Sequence, residues 1–115
     1  MREAVIVSTA RTPIGKAFRG AFNDTQAQEM AGHAIAEAVK RSKVSKEEID
    51  DVIIGAAGQQ GSQQGNIARQ SLLRAGLPVS VAGMSLDRQC ASGMMAIATA
   101  AVSYTHLTLP TMLPV

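Results

Sequence analysis

Residues 79–102 read VSVAGMSLDRQCASGMMAIATAAV, and this stretch decides the fold that the sequence predicts. Residues 79–86 are mostly apolar and favour a strand, and three polar residues follow them at 87–89. Residues 90–102 are small and apolar and favour a helix, which begins with the only cysteine of the chain, Cys90. The stretch therefore predicts a strand, a short polar turn and a helix.

Two further strands are predicted before this stretch, at residues 4–8 and 52–54. Both are β-branched, apolar runs without alternation, which is typical of strands covered on both faces. Between them, apolar residues recur at helical spacing from Ala27 to Val39. Thr25 and Gln28 stand in front of that helix at the spacing of a capping box, which predicts Thr25 as its N-cap.

A second helix is predicted over residues 67–75, with Asn66 as its N-cap and Gly76 after its end. The order of elements is then β-α-β-α-β-α. This order predicts the α/β class, with a mainly parallel or mixed sheet joined by right-handed crossovers. Residues 55–65, GAAGQQGSQQG, are either a low-complexity linker or a functional loop.

The last thirteen residues, 103–115, differ from the rest of the chain. They hold two prolines and no Asp, Glu, Lys or Arg. We therefore expect one domain over residues 1–102, followed by a tail over 103–115 that is disordered or comes from a foreign reading frame.

The composition excludes several classes of protein. The chain of 115 residues has a formal net charge of +2, no Trp, one Tyr and two Phe, which disfavours nucleic-acid binding by stacking or by a basic surface. One cysteine excludes an internal disulfide and a cysteine-rich metal site, and we expect no metal. No segment predicts a membrane span or a secretory leader, so we expect a cytoplasmic protein.

Cys90 has two interpretations from its position alone. At a helix N-terminus, backbone N–H groups and the helix dipole stabilise negative charge on a sulfur and can polarise an acyl oxygen, which suits a nucleophile. A lone cysteine is also commonly an inert, buried apolar residue. The two histidines do not decide the question, because His33 lies on the apolar side of the first helix, which suggests a structural role, and His106 lies in the tail.

Three motifs together resemble the N-terminal part of a thiolase. These are VIVSTARTPIGK at residues 5–16, NIARQ at 66–70 followed by AGLP at 75–78, and LDRQCASG at 86–93. They occur in collinear order, and the similarity extends from about residue 3 to residue 102. The resemblance implies an incomplete thiolase-like N-terminal half-domain.

By the same resemblance, Cys90 is the nucleophile that carries the acyl group as a thioester. The implied reaction is acyl transfer between a 3-ketoacyl-CoA and CoA, with the reverse Claisen condensation as its other direction. Coenzyme A is then a co-substrate rather than a bound cofactor, residues that bind it are unknown, and the intact protein is expected to be a homodimer or homotetramer.

The sequence also departs from the thiolase pattern. It has no Gly-His-Pro segment, no Asn-Glu-Ala-Phe segment and no second cysteine, all of which the family's chemistry needs. We therefore expect this chain to be inactive alone. Two alternatives stay open: a β-ketoacyl synthase-like condensing enzyme, and a non-catalytic fragment or interaction piece with exposed, aggregation-prone surfaces.

Overall fold

The computed structural model describes residues 2–106, which form a mixed α/β fold. The elements are α1 (Ala27–Ser42), β1 (Asp51–Gly55), α2 (Ile67–Arg74), β2 (Ala82–Leu86) and α3 (Ser92–His106), with short 3-10 turns at Lys46–Glu48 and Gly61–Gln63. The predicted fold class is confirmed, and the sheet of the described residues is open rather than closed.

The two strands are parallel and pair along their whole length, from Asp51 opposite Ala82 to Gly55 opposite Leu86. One further hydrogen bond extends the ladder, since the Ala56 N–H donates to the Leu86 carbonyl at 2.9 Å. Parallel strands need a crossover, which α2 supplies. Both strands therefore end at the same edge of the sheet.

The two faces of the sheet are covered by different helices. Val52 packs on the core beside α2, and Gly83, its partner in register, lies against Arg69 and Leu72 of α2. Because side chains alternate along a strand, Gly55 belongs to the opposite face, where it contacts the first residues of α3. The unalternating apolar run at residues 52–54 therefore correctly predicted a strand that is covered on both faces.

The core lies between the sheet, α2 and α1. Leu72, Leu77 and Val81 are almost fully buried at its centre. Partly buried side chains from α1, from the turn before β1, from β1 and from the end of α2 complete it, namely Ile35, Val39, Ile49, Val52 and Ala75. Helix α1 therefore forms an outer layer on α2.

Asn66 fixes the start of α2 to β2. Its backbone is left-handed, with φ of 59°, and its side-chain oxygen accepts from the Arg69 N–H at 3.4 Å, which confirms it as the N-cap. The same oxygen accepts from the Ser85 hydroxyl at 2.8 Å, and the amide nitrogen donates to the Gly83 carbonyl at 3.0 Å. The NIARQ segment is thus part of the scaffold that holds β2.

The predicted strand at residues 4–8 is wrong, because the segment pairs with no strand among the described residues. Val5 and Val7 are 72% and 67% exposed. The segment is attached to α1 instead: the Ser8 hydroxyl donates to the Ala38 carbonyl at 2.7 Å, and the Arg41 guanidinium donates to the Thr9 carbonyl at 2.8 Å. Side-chain preference is a local property and cannot supply the hydrogen-bonding neighbour that makes a strand.

Helix α1 begins differently from the prediction. Its N-cap is Gln26 rather than Thr25, and that residue makes no capping hydrogen bond with its side chain. The Ala27 N–H donates instead to the Ser62 hydroxyl at 3.3 Å. The cap comes from a residue distant in sequence, which a local pattern cannot show.

The bounds of β2 and α3 also differ from those predicted. Strand β2 begins at Ala82 because the preceding residues form a turn, closed by a bond from the Val81 N–H to the Pro78 carbonyl at 3.1 Å. Helix α3 begins at Ser92, not Cys90, and continues to His106, past the expected end at Val102. Most of the predicted tail, residues 107–115, lies outside the described residues.

Candidate active site

Cys90 lies in the turn that joins the end of β2 to the start of α3. It is exposed. The sheet edge beside this turn is the one at which both parallel strands end, and this is where open α/β sheets generally bind their ligands. The expectation of a buried cysteine is therefore not met.

The turn is closed by backbone and side-chain hydrogen bonds on both sides of Cys90. The Ala91 N–H donates to the Arg88 carbonyl, and the Ser92 N–H donates to the Gln89 carbonyl, each at 3.1 Å. Before the cysteine, the Asp87 carboxylate accepts from the Gln89 N–H at 2.8 Å. The segment is therefore a compact, multiply bonded turn.

Gln89 adopts a left-handed backbone conformation, with φ of 51°. This region is unfavourable for a residue with a Cβ atom, by about 1–2 kcal/mol. A non-glycine residue persists there only where its surroundings hold it. The hydrogen bonds to Asp87 and Ser92 provide that restraint directly before Cys90.

Ser92 is the buried member of the turn, with 4% of its surface exposed. Its hydroxyl accepts from the Arg88 N–H at 2.8 Å and donates to the Gln89 carbonyl at 2.7 Å. On its backbone side, its carbonyl lies against Gly55, where an added Cβ atom would overlap it. The first residue of α3 is thus fixed both to the turn and to β1.

The helix N-terminus can act on Cys90 electrostatically. The sulfur-bearing residue stands two positions before the first residue of α3, so the dipole of a fifteen-residue helix points its positive end toward this turn. The guanidinium nitrogen Nη1 of Arg88 lies 4.0 Å from the Met95 sulfur, and the Arg88 side chain is exposed.

Neither histidine is placed beside Cys90. His33 is exposed on α1, so the expectation of a structural, packed histidine is wrong; it lines a cavity of about 290 Å³ together with Pro13 and Phe22. His106 ends α3, about 21 Å along the helix from Ser92 at the usual rise per residue. The described residues therefore bring no imidazole to the cysteine.

A second cavity, of about 470 Å³, also lies away from Cys90. It is polar and is lined by residues of the glycine- and glutamine-rich loop and its neighbours: Gln26, Gln28, Gly61, Ser62, Gln64, Gly65 and Gln70. The Gln70 amide donates to the carbonyls of Gln64 and Gly65, each at 2.7 Å. The loop is thus attached to α2 and is not an unstructured linker.

Within residues 2–106, no group of three or more His, Cys, Asp or Glu side chains could hold a metal ion. In the same range, no helix has the length and apolar character needed to cross a bilayer.

The sequence predicted Cys90 but missed Ser92 and Gly55 as parts of the site. The sequence did hold a signal for Ser92, because a serine side chain can hydrogen-bond to the backbone three or four residues before it. Gly55 gave a weaker signal, since a glycine at a strand end often marks close backbone approach.

Comparison with known proteins gives a consistent result. The family model described as "Thiolase, N-terminal domain" matches residues 4–106. The 3-ketoacyl-CoA thiolase of Bacillus subtilis is 42% identical over 101 residues, which is 88% of this chain and 26% of that protein. The 3-oxoadipyl-CoA/3-oxo-5,6-dehydrosuberyl-CoA thiolase of Escherichia coli is 43% identical over 102 residues, 88% of this chain and 25% of that protein.

An acetyl-CoA acetyltransferase of Syntrophomonas wolfei is 38% identical over 100 residues, covering 87% of this chain and 25% of that protein. The chain therefore spans about a quarter of the length of the curated relatives it matches.

Proposed function

This chain belongs to the thiolase family of acyltransferases, and on that premise we propose that it is the nucleophile-bearing part of an enzyme that transfers acyl groups between 3-ketoacyl-CoA and CoA. The exposed Cys90, held in a restrained turn at the head of α3, is the observation that carries the proposal. The names of the relatives support it, since they include 3-ketoacyl-CoA thiolase and acetyl-CoA acetyltransferase.

In the proposed reaction, the Cys90 thiolate attacks the C3 carbonyl of a 3-ketoacyl-CoA. The bond between C2 and C3 then breaks, and its electron pair leaves with acetyl-CoA, which takes up a proton at C2. The acyl group stays on Cys90 as a thioester. A second CoA thiol attacks this thioester, which forms a shortened acyl-CoA and returns a proton to the Cys90 sulfur.

The local geometry suits the first half of this chemistry. Cys90 is exposed, and the nearby Ala91 and Gly93 add little bulk around it. The N-terminal end of α3 supplies dipoles that favour the negative charge which develops during the attack. Coenzyme A is a substrate in this scheme, and no resident cofactor is required.

Proton transfer needs groups that the described residues do not bring to Cys90. His33 and His106 both lie elsewhere, and the sequence has no second cysteine. We therefore propose that this chain alone does not turn over. From the family membership we also propose that the intact protein is a homodimer or homotetramer. A reducing cytoplasm would keep the exposed thiol free.

A chimera can test the proposal, because the rest of a related thiolase would supply the proton-transfer groups that this chain lacks. Residues 4–102 of this chain would replace the matched segment of the Bacillus subtilis 3-ketoacyl-CoA thiolase, and thiolysis of acetoacetyl-CoA would be measured. We expect thiolysis by the chimera and its loss in the Cys90→Ala form, with an acyl adduct found on Cys90 by mass spectrometry. A chimera with native circular dichroism and subunit state that forms no adduct on Cys90 would disprove the proposal.

A further inference from the structure

The geometry points to Ser92 as a positioning residue for Cys90. Its hydroxyl joins the residues before the cysteine to the helix after it, and so sets the direction in which the sulfur projects. This inference rests on the proposed function, in which Cys90 is the nucleophile. Ser92 itself is not placed to touch a substrate, because it is buried beneath the turn.

The hydrogen bonds of Ser92 connect the helix after Cys90 to the two residues before it. The hydroxyl accepts from the Arg88 N–H, two residues before the cysteine, and donates to the Gln89 carbonyl, directly before it. Both bonds are short, at 2.8 and 2.7 Å. Since Ser92 is also the first residue of α3, the one side chain fixes the backbone on both sides of the nucleophile.

The restraint matters because Gln89 is held in the left-handed region. With φ of 51°, its backbone tends to relax toward negative φ once it is released. Such a rotation directly before Cys90 would turn the sulfur away from its present direction. Asp87 holds the Gln89 N–H and Ser92 holds the Gln89 carbonyl, so the peptide unit on each side of Gln89 has its own anchor.

Ser92 can act as an anchor because it cannot move easily itself. Its carbonyl lies against the α-carbon of Gly55 at the end of β1, with no room for a Cβ atom there. The position of the hydroxyl is therefore fixed by contact with the sheet, and not only by the turn. Contact with β1 fixes Ser92, Ser92 restrains the Gln89 backbone, and that backbone sets the direction of the Cys90 side chain.

A second buried serine provides the matched control. Ser71 is fully buried on α2, and its hydroxyl has no hydrogen-bond partner among the described residues. Replacing either serine with alanine removes one buried oxygen. Only the change at Ser92 removes bonds to the turn that carries Cys90.

The test compares the full 115-residue chain with its Ser92→Ala, Ser92→Thr and Ser71→Ala variants. Hydrogen exchange of the Arg88 amide reports the bond to Ser92. The coupling between the Gln89 amide and α protons reports its φ, and the alkylation rate of Cys90 by iodoacetamide reports the access of the sulfur. In Ser92→Ala we expect about tenfold faster exchange at Arg88, the change that loss of one such bond implies, together with an altered Gln89 coupling and alkylation rate. Ser71→Ala should leave all three unchanged, and Ser92→Thr, which keeps a hydroxyl, should restore them at least in part.

Two outcomes would overturn the inference. In the first, Ser92→Ala leaves the Arg88 exchange and the Gln89 coupling as they are in the unaltered chain. In the second, Ser92→Ala loses its whole fold while Ser71→Ala keeps it, which would make the hydroxyl a general support of the core. Failure of the proposed function is separable, because it would show as a missing acyl adduct on Cys90 in the chimera while these readouts of the turn still responded to Ser92→Ala.

Discussion

Gly55 and Ser92 lie so close together that no side chain fits between the end of β1 and the start of α3. A Cβ atom on Gly55 would overlap the Ser92 carbonyl group and approach the Gly93 nitrogen to 2.7 Å. Both obstacles are backbone atoms, so they cannot rotate away as the end of a side chain could. The position of the turn that carries Cys90 therefore depends on the absence of a side chain on the neighbouring strand.

Replacing Gly55 with alanine should destabilise the chain by about 2 kcal/mol or more, because α3 must move to accommodate the added methyl group. Urea titration followed by circular dichroism would measure the loss. Gly58→Ala is the matched control: an added Cβ atom at Gly58 would have no neighbour within 4 Å, and its φ is not positive. That change should stay within about 0.5 kcal/mol. Equal stabilities for the two variants would contradict the close seating of α3 on β1.

Arg69 should matter far more to stability than Arg74, although both lie on α2. The Arg69 guanidinium donates from Nη1 to the carbonyls of Val79 and Val81, at 3.0 and 2.6 Å, and so ties the turn before β2 to the helix. We expect Arg69→Met to cost about 2 kcal/mol, as for hydrogen bonds to a charged group.

Arg74→Met is the control for that prediction. Arg74 pairs with Glu29 at 3.2 Å, but the two side chains are 59% and 49% exposed, so the pair should contribute less than about 1 kcal/mol. The urea unfolding midpoints of the two variants would show which substitution destabilises the chain more. A larger loss in Arg74→Met would show that the contacts from Arg69 to the carbonyls are unimportant.

Asp51 should make the free energy of unfolding depend weakly on pH. Desolvation where β1 begins raises the pKa of Asp51 above its usual 3.8, the hydrogen bond from Val52 opposes this, and neighbouring Asp50 adds to it. The folded state thus holds the proton more tightly than the unfolded state, and stability falls as the pH rises from about 3.8 through the folded pKa.

Asp51→Asn should therefore be more stable than the parent chain at pH 7. Asp51 remains exposed overall, so the gain should be below about 0.5 kcal/mol, as for surface substitutions generally. Urea midpoints at pH 7 and pH 3 would show the gain shrinking in acid. Asp24→Asn, in an exposed loop, controls for the loss of one charge. A variant less stable than the parent at pH 7 would show that Asp51 is stabilising as a carboxylate.

The extended segment at residues 4–8 should promote self-association. Its valines and isoleucine are 67–75% exposed beside unpaired backbone, which is a template for pairing with another chain. Val5→Lys with Val7→Lys should reduce light scattering of a concentrated solution. The control, Ile14→Lys with Val79→Lys, adds the same charge at two other exposed apolar positions in a loop and a turn. Equal improvement in both double variants would indicate that charge, and not the segment, controls association.

The isolated chain should show no thiolysis of acetoacetyl-CoA, because no histidine of the described residues accompanies Cys90. The release or consumption of CoA thiol would be followed with a colorimetric reagent, after correction for the single thiol of the protein. The Cys90→Ala variant sets the background rate. Turnover by the purified chain that disappears in this variant would contradict the prediction.

Local sequence patterns predicted those elements whose cause is local. Asn66 caps α2 because its short side chain reaches the Arg69 N–H three residues later, and the apolar residues of β1 are partly buried between two helices, as their continuous run indicated. Local patterns gave wrong predictions where the hydrogen-bonding partner that decides the structure is distant in sequence. Ser62 caps α1 from 35 residues away, and residues 4–8 have strand-like side chains but no neighbouring strand among the described residues.

By itself, the sequence determined the α/β class, the order of β1, α2, β2 and α3, and Cys90 as the residue to examine. Those conclusions depend on periodicity, capping residues and motifs, all of which are properties of neighbouring residues. Only the tertiary structure decided that Cys90 is exposed, that Gln89 before it is left-handed, and that Ser92 and Gly55 hold the turn in place. The physical reason is that the direction of a side chain in a turn is set by contacts between a strand and a helix that are far apart along the chain.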